Sequence, residues 1–172
     1  TLFRSRVSCV PFLNTAEQPL VPPLQSILLR TTGGDDFLLR QHVVVLLGER
    51  EGDAAAFALL AHKVQAGDSS EHVRLALPAA LRGTGSESAV AHLERLAGAA
   101  AGVPGDASPK VRAAATIALA ELLRARAAAT ASALGCLLAD PDPLVSRVAA
   151  EEVEDLALHG RLSEAEAASL RE

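Results

Sequence analysis

A stretch of eleven residues recurs four times along the middle of the chain, and that recurrence constrains the fold more than any other feature. The copies are Phe37-Leu-Leu-Arg-Gln-His-Val-Val-Val-Leu-Leu, Glu71-His-Val-Arg-Leu-Ala-Leu-Pro-Ala-Ala-Leu, Pro109-Lys-Val-Arg-Ala-Ala-Ala-Thr-Ile-Ala-Leu and Pro143-Leu-Val-Ser-Arg-Val-Ala-Ala-Glu-Glu-Val. Their starts lie 34, 38 and 34 residues apart. The third position is always Leu or Val, and the fourth is Arg40, Arg74 and Arg112 in the first three copies. A near-constant period of this size marks a supersecondary unit that covers its apolar side by stacking on the next.

The punctuation identifies that unit as a pair of helices. Ser108 and Asp142 precede Pro109 and Pro143, so an N-cap oxygen stands before a proline at the first helical position. Asp36 and Ser70 fill the same slot in the first two units. After Pro109, Val111, Ala114, Ala115, Ala118 and Leu122 form one helical stripe. Second helices are predicted at about residues 53–66, 88–100, 126–139 and 163–172, with Asp53, Ser88 and Ser163 as caps. Ser163-Glu-Ala-Glu166 has the form of a capping box. Gly48, Gly67 and Gly160 stand where a left-handed residue ends a helix at least cost. The β-branched run Val43–Val45 is flanked by leucines that complete a helical face, so it reads as buried helix. Pro78 predicts a kink within the first helix of its unit. The expected fold is all-α, a right-handed superhelix of about four helical hairpins. It occupies residues 20–172 and follows an irregular segment over 1–19.

Composition narrows the role. The chain carries 16 basic against 21 acidic residues, a net charge of −5, with no Tyr or Trp and four Phe. Nucleic-acid binders present a basic stripe and aromatic platforms, and neither is present, so nucleic acid is not expected as a partner. No run of 18 apolar residues exists, so no helix is expected to cross a membrane. Cys9 and Cys136 lie far apart, which fits a reducing compartment and a cytoplasmic protein. Cys136 reads as a small buried residue and Cys9 as incidental. The chain starts without Met and ends inside a helical pattern, so a fragment of a longer protein is expected. Thr1–Ser5 reads like the translation of a sequencing-library adapter and carries no biological weight.

The segments Ser108-Pro-Lys-Val-Arg-Ala-Ala-Ala-Thr-Ile-Ala-Leu and Asp140-Pro-Asp-Pro-Leu-Val-Ser-Arg-Val-Ala-Ala resemble HEAT repeats of the bacterial type, which also occur in phycobilin lyases. The resemblance covers about residues 35–160, and in the last unit Ser146 stands where the pattern has Arg. It implies an interaction module in which second helices line a concave face that takes a protein or peptide. The alternatives it leaves are an accessory protein handling a tetrapyrrole and, below that, a nucleic-acid-binding module. The polar candidates on that inner face are His62, Lys63, His92, Glu94 and Arg95, with Thr130 and Ser132 on a nearly bare third helix. Arg40, Arg74 and Arg112 admit two roles, a binding ladder or structural spacers paired with acids such as Asp36, Glu71 or Asp106. The structural role is favoured.

Catalysis is not expected. No two of His42, His62, His72, His92 and His159 lie three or four apart on a helix, so no metal-ligand spacing exists and no cofactor is implied. Deoxyhypusine hydroxylase, a HEAT-type enzyme, holds di-iron with His-Glu pairs, whereas here each His precedes Val, Lys, Val, Leu or Gly. Glu151, Glu152, Glu154 and Asp155 cluster on one helix and read as a solvated face, since acid/base work needs one carboxyl raised by burial. The loops Gly83-Thr-Gly85-Ser and Gly102-Val-Pro-Gly105-Asp lack the Lys of a phosphate cradle.

Overall fold

In a computed structural model of the chain, residues 21–29, 36–125 and 131–170 are described. The expected segment 1–19, Cys9, Thr130 and the start of the third second helix lie outside them. Every regular element among the described residues is helical, as the punctuation predicts. In chain order these are α1 (Val21–Leu28), α2 (Phe37–Gly48), α3 (Ala54–Ala66), α4 (Glu71–Gly83), α5 (Ala89–Ala97), α6 (Pro109–Ala125), α7 (Ala131–Leu138), α8 (Pro143–Leu158) and α9 (Glu164–Ser169). The four first helices therefore begin at the residues that begin the repeat. None of these helices is long and apolar enough to cross a membrane.

Capping follows the expected logic at three starts and departs from it at others. The Asp53 carboxylate accepts from the amides of Ala55 and Ala56, and Asp142 accepts from Leu144. Ser163 and Glu166 form the reciprocal capping box. Asp36, Ser70 and Ser88 make no side-chain cap bond. The Ser108 hydroxyl instead donates to Glu71 Oε1 at 2.7 Å, tying the starts of α6 and α4 together. Gly67 and Gly160 have φ of 73° and 65°, the left-handed conformation expected at a helix end. Gly48 is different. It sits inside the last turn of α2, where a Cβ would come within 2.5 Å of the Ala80 Cα. Its partner Gly83 is tighter still, with a Cβ position 2.3 Å from the Gly48 carbonyl oxygen. Both glycines permit close approach of α2 and α4. Helix α4 continues through Pro78, which is buried.

The core repeats with the sequence. Val43, Leu77, Ala115 and Ala149 are buried at one position of the unit, and Leu47, Leu81, Leu119 and Val153 at another, both on the 34-, 38- and 34-residue spacing. Successive first helices pack on one another, α2 on α4, α4 on α6 and α6 on α8. Second helices α3, α5 and α7 each pack on their own first helix and on the next one, α9 packs on α8, and α3 also touches α5. Among the described residues every substantial contact joins elements adjacent or next-but-one in chain order. Leu39 departs from this regularity. Its counterparts Val73, Val111 and Val145 are fully buried, whereas Leu39 is 48% exposed.

Candidate functional site

Two sets of side chains stand out, the recurring arginines and the polar residues of the second helices. The arginines are structural. The guanidinium of Arg112 forks onto Asp140, with Nε to Oδ2 and Nη2 to Oδ1 both at 2.9 Å, while its Nη1 donates to the Asp106 carbonyl at 2.9 Å. Arg74 repeats the arrangement one unit earlier, with Nε on Asp106 Oδ2 at 2.8 Å and Nη1 on the Asp68 carbonyl at 2.7 Å. Arg40 holds Asp68 through Nε and Nη2 at 2.9 and 3.0 Å. Each arginine thus reaches from its own first helix to an aspartate in the turn that leads into the next unit. The same aspartates accept from the backbone amide two residues on, at Ser70, Ser108 and Asp142. One carboxylate therefore shapes its turn and fastens the neighbouring unit. The column ends at the fourth unit, where Ser146 replaces Arg.

Of the acids expected to pair with these arginines, Asp106 does so. Asp68 and Asp140 were not legible as partners, although a signal exists. Asp stands six residues before the arginine position in the last three units, at Asp68, Asp106 and Asp140. Burial pushes the Asp68 carboxyl up, but hydrogen bonds from Arg40 and Lys63 outweigh it and hold the group below the usual carboxylate range. Asp140 behaves alike, with burial overcome by the Arg112 fork.

The five inner-face candidates separate. Lys63 is a correction: it is 1% exposed, and its ammonium lies 2.7 Å from Asp68 Oδ2, within the first rung of the column. A lysine at an apolar helix position reads as surface until a buried acid is known to meet it. His62 on α3 and Arg95 on α5 are exposed. His92 and Glu94 are half-buried. The His92 ring meets Phe57 of α3 edge-on at 5.6 Å. Burial, followed by the nearby Arg95 charge, lowers its pKa below the ordinary imidazole value. Between the first helices of the same two units, Phe37 stacks on His72 at 5.4 Å. Cys136, expected inside, is an exposed free thiol.

The acid cluster on α8 divides between two directions. Glu152 and Asp155 both meet Arg124 of α6, joining the two helices. Burial raises the Glu152 carboxyl, and Arg124 offsets this in part. Glu151 faces solvent 3.8 Å from Arg147. Arg82 and Glu121 make the corresponding link between α4 and α6 at 3.0 Å. Among the described residues no group of three His, Cys, Asp or Glu side chains is placed to hold a metal ion. Comparison with protein-family models, with curated proteins and with solved structures found no match to this chain.

Proposed function

We propose that the chain is a non-catalytic HEAT-like α-solenoid scaffold of the cytoplasm, which binds another protein or a peptide on the concave face made by α3, α5 and α7. One observation carries the reading: among the described residues, substantial contacts run only between elements adjacent or next-but-one in the chain. A closed bundle brings its first and last helices to a shared centre, whereas stacked hairpins touch only their neighbours. The arginine–aspartate column supports the same reading, because each rung joins one unit to the next and none skips a unit.

The way the two kinds of helix are used supports this choice of face. First helices are joined to one another by charged pairs, Arg82 with Glu121 and Arg124 with Glu152 and Asp155. The second helices expose small residues, Ala54, Ala55 and Ala58 on α3 and Ala91 on α5, beside His62 and Arg95. Alanine holds a helix without side-chain entropy cost and lets a partner approach closely.

The test is site-specific photocross-linking in extracts, with a benzophenone side chain at Ala91 on α5 or at Ala79 on the exposed side of α4. The expected result is a discrete adduct from Ala91 that Ala79 does not give. Adducts from Ala79 alone would move the site to the first helices and refute the assignment.

A further inference from the structure

We propose that this second-helix face receives an acidic helix, whose contacting side is small and apolar apart from carboxylates that meet Arg95. The inference deepens the scaffold reading and rests on it. Register comes first. Buried Ala56, Leu60, Lys63 and Val64 of α3 coincide with buried Ala89, Leu93, Leu96 and Ala97 of α5 on a constant offset of 33 residues. That offset sets His62 level with Arg95 and Ala58 level with Ala91, all four exposed. The two helices lie side by side, as the Phe57–His92 contact shows. On α7, exposed Cys136 stands between buried Leu134 and Leu137 as Arg95 stands between Leu93 and Leu96. Across α3 and α5 the face thus carries His62 and Arg95 in one exposed row, with Ala58 and Ala91 beside it.

Charge then selects the occupant. Seven of the nine arginines among the described residues are held in ion pairs within the chain. Arg95 makes none, and the other unpaired one, Arg161, lies beyond α8. Helix α3 contains no acidic residue, and the single acid of α5, Glu94, is half-buried. A chain of net charge −5 therefore presents here a surface poor in acids with a free guanidinium on it. A guanidinium fork favours a carboxylate over a neutral or cationic group. The flanking alanines leave room for the backbone of a helix to approach closely.

The experiment is fluorescence anisotropy at low ionic strength with three labelled alanine-rich helical peptides, identical except for Glu, Gln or Lys along one stripe. The Glu peptide is expected to bind about threefold tighter than the Gln peptide, the scale of one exposed ion pair. The Lys peptide binds more weakly than either. Arg95→Glu inverts the order, Arg161→Glu leaves it unchanged, and added salt shrinks the preference. Equal binding of the Glu and Gln peptides, or a preference that survives Arg95→Glu, overturns the inference. If all three bind alike and Ala91→Arg abolishes that binding, charge selection falls while the docking face stands. Binding by none of them also overturns the inference, and the cross-linking result then decides the scaffold reading by itself.

Discussion

Replacing Asp68 by Asn changes one atom in the most buried rung of the column and isolates what that rung contributes. The two carboxylate oxygens accept four donors, Arg40 Nε and Nη2, Lys63 Nζ and the Ser70 amide, all at 2.7 to 3.0 Å. The side chains of Arg40 and Lys63 are 1% exposed and that of Asp68 is 0%. In the variant an amide NH2 faces donors and two cations lose their counter-charge. Removing one partner of a buried ion pair costs about 3–5 kcal/mol. The same change at Asp140, whose rung with Arg112 is 9% and 14% exposed, leaves water a route to the cation. There the loss is about 2 kcal/mol, the scale of one hydrogen bond to a charged group. Equilibrium unfolding in urea followed by circular dichroism measures both, with slope and midpoint reported separately because stacked units need not unfold together. A triple variant, Arg40→Met, Lys63→Met and Asp68→Leu, is expected to recover most of the loss, since an apolar cluster of similar volume replaces the ions. The pH arm has a defined sign. The folded pKa of Asp68 lies below its unfolded value, so its contribution is present above the unfolded carboxyl pKa of about 3.9. It is lost as pH falls through the folded value, and Asp68→Asn lacks that component of acid unfolding. A loss below about 1 kcal/mol for Asp68→Asn, or one no larger than at Asp140, would refute the view that buried rungs fasten the units.

Three further outcomes concern single side chains. Gly83→Ala is expected to destabilise by about 1–3 kcal/mol in urea unfolding despite the better helix propensity of Ala, because its Cβ would lie 2.3 Å from the Gly48 carbonyl oxygen; a stabilised variant would show that α2 and α4 part freely. Cys136, exposed on α7, is expected to react with a thiol reagent in the native Cys9→Ser protein as fast as in urea; strong native protection would place it inside. A pH titration of the His92 imidazole by NMR is expected to give a value below 6.5. Because folding then favours the neutral ring, its stabilisation is present above the unfolded pKa and fades as pH falls through the folded one. A value at or above 6.5 would contradict the partly buried packing on Phe57.

The local design was legible in the residues. Four first helices start at Phe37, Glu71, Pro109 and Pro143 because apolar spacing and turn residues act within a few positions of themselves. The same holds for the Asp53 and Asp142 caps and the Ser163–Glu166 box. Of the candidate site, exposed His62 and Arg95 were placed on the second helices by the same periodicity. Tertiary structure decided the rest, wherever the partner came from another unit. Lys63 is drawn inward by Asp68, Gly48 makes room for Gly83 instead of only ending a helix, and Cys136 faces outward. Arg40 and Arg112 pair 28 residues ahead and Arg74 pairs 32 ahead. Periodicity states which side of a helix is apolar. The angle at which one hairpin settles on the next fixes which turn each long side chain can reach, and that angle exists only once the units have stacked.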